Sequence, residues 1–89
     1  MLTGKTESGF EFEIEEKTLG DWEVIEKLVD LEDGRYSAAV SVLRRILGED
    51  QYGRLKDHCR DENTGKITTN SMLKELSDIL NSPKEEKNS

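Results

Sequence analysis

The chain has 89 residues, 33% of them hydrophobic and 37% charged, with a formal net charge of −7. That length fits one domain, with a lean core that gains stability from partners. The acidity disfavours nucleic-acid binding, which needs clustered Lys and Arg, and no segment approaches the roughly 20 apolar residues of a membrane helix.

Residues 1–8 are polar and contain Gly4, so they are expected to form a flexible arm ahead of one domain at 9–81. Phe10-Glu11-Phe12-Glu13-Ile14 alternates apolar and acidic residues, the period of a half-buried strand. Phe10, Phe12 and Ile14 share one face. No second convincing strand is visible; this one must pair with a partner, with another copy of the chain or with another short segment of its own, and pairing between copies is the specific expectation.

Thr18 with Asp21 three residues on reads as a variant capping box. A first helix is expected from about Leu19 to Glu32, with Trp22, Ile25, Leu28, Val29 and Leu31 apolar and Asp33-Gly34 as its stop. Trp22 is expected as a core anchor, the alternative being an interface anchor. A second helix from Ser37 is the most apolar segment and ends at Gly48. A third opens on Glu49-Asp50 and carries Tyr52, Leu55 and Cys59 on one face. Asp61 to Lys66 is a turn-rich loop. Ile67, Thr68 and Met72 fit a hydrophobic staple around a capping residue, opening a fourth helix that Asn81-Ser82-Pro83 ends. Residues 82–89 read as a disordered tail. The fold class expected is mainly α: a bundle of about four short helices with one N-terminal β-strand.

Charge is divided along the chain. Residues 1–33 hold eleven acids and three bases, a net −8; residues 34–60 hold three acids and six bases, a net +3. Pairing within the chain is the plain use of that split, and head-to-tail self-association is another. The single cysteine, Cys59, excludes an internal disulfide. No secretory signal is visible, so a cytoplasmic location is expected.

No constellation of catalytic residues stands out. His58 and Cys59 are adjacent, hence about 100° apart on a helix, and no second His or Cys completes a metal site. The loop from Asp61 resembles the start of an EF-hand calcium loop, but Gly65 falls at its fifth position and Met72 at its twelfth. The glycine comes one residue early and the bidentate Glu is missing. The paired acids sit at caps and polar faces rather than in a pocket. The expectation is therefore no enzyme, no metal and no cofactor.

The order of elements resembles the short tail assembly chaperones of long-tailed phages and prophages of Gram-positive bacteria. The resemblance is carried by Phe10-Glu11-Phe12-Glu13-Ile14, Asp21-Trp22-Glu23, Leu43-Arg44-Arg45-Ile46-Leu47-Gly48 and Gln51-Tyr52-Gly53-Arg54-Leu55-Lys56-Asp57-His58, and spans roughly residues 10–80. It implies a homo-oligomeric chaperone of the host cytoplasm, absent from the mature virion. Its client would be the tape measure protein, with the tail tube protein as a further partner. Such a holdase needs an apolar surface at helical spacing. Candidate client-facing residues are Val40, Leu43, Leu47, Leu76, Ile79 and Leu80, although the plainer expectation for each is a place in the core. Phe10, Phe12, Ile14 and Trp22 complete the candidate partner-binding set. The alternatives are a small helical interaction module with a degenerate calcium loop, or a virion structural protein such as a head–tail connector.

Overall fold

A computed structural model describes residues 1–82 and the backbone of Lys84–Glu85. The tail expected at 82–89 otherwise lies outside the described residues. The described chain is mainly α with four helices, as the sequence suggests. Strand β1 (Leu2–Lys5) pairs with β2 (Glu11–Ile14), followed by the single turn α1 (Glu16–Leu19). Then come α2 (Trp22–Glu32), α3 (Ser37–Cys59), α4 (Thr69–Asn81) and the two-residue β3 (Lys84–Glu85).

The arm expected at residues 1–8 is largely strand. β1 runs antiparallel to β2, with Leu2 opposite Ile14 and Gly4 opposite Phe12, and β3 pairs on the other side of β1. Leu2-Thr3-Gly4-Lys5 has a single large apolar residue, so it carries no strand signal of its own. Its backbone is fixed by the neighbour it serves. Between the strands the chain turns on itself. Thr6 N–H donates to Phe10 O at 2.9 Å, and Gly9, at φ +98°, donates to Thr6 O at 2.9 Å.

Pairing of β2 with another copy is thereby replaced, and for a second reason too. Along the outer edge of β2, the Gln51 side-chain amide takes the place of a strand. Its Oε1 accepts from Glu13 N–H at 2.7 Å, and its Nε2 donates to Glu13 O at 2.8 Å.

The first helix starts later than expected. Asp21, not Thr18, caps α2: its carboxylate accepts from Glu23 N–H at 2.8 Å. The chain turns at Gly20, so the preceding α1 is a separate turn and the capping box reads one turn early. The stop at Asp33-Gly34 is as expected. Gly34 adopts φ +89°, its N–H bonds Leu31 O at 3.0 Å, and Arg35 N–H bonds Asp30 O at 3.0 Å, a Schellman closure.

The second and third expected helices are the two arms of α3, broken at Gly48 (φ 77°, ψ 168°). Gln51 Nε2 also donates to Leu47 O at 2.8 Å, the carbonyl next to the break. Arg44 pairs with Glu49 across the break at 3.3 Å, and the Arg44 and Lys56 cations both lie over the Tyr52 ring, at 5.4 and 4.9 Å. Thr68 caps α4 as expected, accepting from Ser71 N–H at 3.1 Å.

The core joins the sheet to all three long helices. Phe10, Phe12 and Ile14 meet Val24, the first arm of α3 (Ala39, Val42, Leu43, Ile46, Leu47), the second arm (Tyr52, Leu55), and Leu76 and Ile79 of α4. No helix of the described residues is long and apolar enough to cross a membrane.

Candidate protein-binding surface

Eight of the ten candidate partner-binding residues are part of that interior. Phe10, Phe12, Ile14, Leu43, Leu47, Leu76 and Ile79 are all at most 5% exposed, and Leu80 packs partly buried against them. They hold the domain together and cannot meet a client while it stays folded. Burying these large side chains is the main stabilising term available to so small a chain.

Trp22 and Val40 are the other two, and Trp22 overturns its expected core role: it is 70% exposed. With it stand Ile25 at 41% and Val29 at 52%. At about 100° per residue, Trp22, Ile25 and Val29 fall within about 60° of arc, forming one stripe along α2. Val24, Leu28 and Leu31 occupy the adjoining arc and pack on the core. The apolar residues of α2 therefore cover about half its circumference, wider than one packed face requires. That width is legible in the sequence. Grouping all the apolar residues on one inward face misses it, and with it Ile25 and Val29.

A second exposed pair, Tyr36 at 59% and Val40 at 42%, lies at the start of α3. Val40 is five residues before Arg45, about 140° round the helix. Arg45 is the side chain that reaches the start of α2, where it meets Asp21 at 3.3 Å and also Glu23. Val40 thus lies on a different side of α3 from α2.

The Arg45 contact fixes the N-terminus of α2 below Trp22. The Glu23 backbone N–H and the Arg45 guanidinium hold the Asp21 carboxyl below its ordinary range. Farther along α2, Asp30 pairs with Arg35 at 3.3 Å, whereas no ion pair among the described residues engages Glu26 or Glu32, and both are exposed.

One polar cluster resembles catalytic machinery. Ser8 Oγ lies 2.8 Å from His58 Nε2 and donates to Glu75 Oε2 at 2.7 Å. Nucleophile activation needs the imidazole to accept the serine proton, with the carboxylate behind the imidazole. Here the carboxylate takes the proton, so the imidazole Nε2–H donates to Ser8. The cluster ties the β1–β2 turn to α3 and α4. Cys59, half-buried nearby, has its thiol pushed up by burial and by the Glu75 charge, which disfavours the thiolate.

The loop at 61–66 turns the Asp61 carboxylate inward. Its Oδ1 accepts from Asn63 N–H at 2.7 Å and Thr64 N–H at 3.1 Å. Among the described residues, no three of His, Cys, Asp and Glu are grouped to hold a metal. No family model, curated protein or solved structure matches the chain.

Proposed function

We propose that this chain is a non-enzymatic protein-binding module that holds a client segment on the exposed stripe of α2. The observation that carries this is the stripe itself, Trp22, Ile25 and Val29, aligned on a helix whose adjoining arc is anchored in the core by Val24. Monomeric proteins expose single apolar residues routinely, but a Trp aligned with two aliphatic neighbours has the composition and spacing of a binding anchor. The resemblance to tail assembly chaperones supplies the client: the apolar helical stretches of a tape measure protein, kept dissolved during tail assembly.

The strong charge of the chain suits that role, because a complex with an apolar client stays dissolved when its exterior repels its neighbours. The test is co-expression with the tape measure protein of the same phage or prophage. The expected result is a rise in soluble tape measure protein that Val29→Ser abolishes while the variant stays folded. Equal solubility with and without the chain would end the proposal.

A further inference from the structure

We infer that the occupant of the α2 stripe is a basic amphipathic helix, one whose apolar anchors are flanked by Lys or Arg, rather than a second copy of this chain. The inference rests on the docking role proposed above and adds the chemistry of the partner.

Charge around the stripe carries it. Residues 21–33 hold six acids and one base, a net −5. The acids border the stripe: at about 100° per residue, Glu32 lies about 20° from Ile25, and Glu26 lies about 40° from Trp22 on the other flank. The one base, Lys27, lies at least about 140° from each stripe residue, on the far side of the helix. Arg45 neutralises only the N-terminal acids Asp21 and Glu23, and Arg35 reaches Asp30 at 3.3 Å. Glu26 and Glu32 remain exposed on both borders, with no ion pair among the described residues.

A second α2 laid on this one would bring two such acidic borders together, whatever its direction. Like charges set across an interface select against a partner. A helix with Lys or Arg beside apolar residues at positions i, i+3 and i+7 satisfies both features at once: its apolar face covers Trp22, Ile25 and Val29, and its cations meet Glu26 and Glu32. This is the helix-in-groove style of recognition with electrostatic selection at the rim.

Trp22 is the only tryptophan, so its emission reports the stripe directly. The full chain is titrated with two synthetic helical peptides of identical apolar pattern, one with Lys and one with Glu at the flanking positions. The chain alone is also concentrated over the same range. The expected result is a saturable blue shift with the Lys peptide and at least tenfold weaker binding of the Glu peptide. Val29→Ser should remove the response, and the double variant E26K/E32K should reverse the preference. Both variants alter exposed side chains, and circular dichroism checks that they fold.

Equal affinity for the two peptides would overturn the charge selection but leave the stripe as a docking site. A blue shift on concentrating the chain alone would make a second copy the occupant and overturn the inference. No response to either peptide or to concentration would overturn the docking reading as well.

Discussion

Gln51 shows how much one side chain can do here. It closes the outer edge of β2 at Glu13 and accommodates the break in α3 at Leu47, with three hydrogen bonds at 2.7–2.8 Å. Gln51→Ala removes all three, and losses of about 1 kcal/mol per bond set the scale. We expect a drop of about 1–3 kcal/mol in chemical denaturation, with self-association appearing as the freed edge seeks a partner. Asp21 works through pH. Its carboxyl is held low in the folded chain, so its contribution is present above the ordinary carboxylate range and is lost as pH falls through the lowered value. The melting temperature should therefore fall on acidification, with a smaller fall in Asp21→Ala.

The residues also mark what a sequence can and cannot disclose. The capping role of Thr68 and the stop at Gly34 are readable, because each depends on the chain a few residues either side. Gln51 is not: its partner Glu13 is 38 residues away. Gly4 reads as part of a loose arm, yet it sits opposite Phe12, and a Cβ there would lie 2.5 Å from Phe12 Cζ. The Phe12 ring is 2% exposed, so it has little room to give way to a methyl group at Gly4.

At the scale of elements, α2 divides its apolar residues between the core and the surface. On α2 the two halves of the apolar arc have opposite fates. Ile25→Ala, on the outward half, should shift stability by less than about 1 kcal/mol while weakening client binding. Ile79→Ala, fully buried on α4, should cost about 2–5 kcal/mol by the same denaturation measurement, a large share of the stability of so small a domain. Which half of α2 faces inward depends on what packs against it, and that is a tertiary fact. The periodicity alone shows only that the apolar arc is too wide. On α3, Gly48 occupies backbone space open almost only to glycine. A Cβ there would meet nothing within 4 Å, so the cost of Gly48→Ala is torsional. We expect a loss of about 1–3 kcal/mol, read by thermal melting. A straightened α3 would also carry Tyr52 and Leu55 away from the sheet.

Over the whole molecule, most of the large apolar residues are committed to one interior shared by sheet and helices. The large apolar residues left exposed among the described ones are those of the α2 stripe, the Tyr36–Val40 pair and Met1. The charge division visible in the sequence is put to use at both ends of the acidic helix: Arg45 from the basic centre meets Asp21 and Glu23 at its start, and Arg35 meets Asp30 near its end. Glu26 and Glu32 border the stripe, exposed and without an ion pair among the described residues. The most direct measurement is acrylamide quenching of Trp22 in the full chain, free and in a purified complex with the tape measure protein. If the stripe holds the client, the quenching constant falls severalfold on complex formation. A quenching constant unchanged in a stable complex would place the client elsewhere and contradict the assignment of α2 as the binding surface.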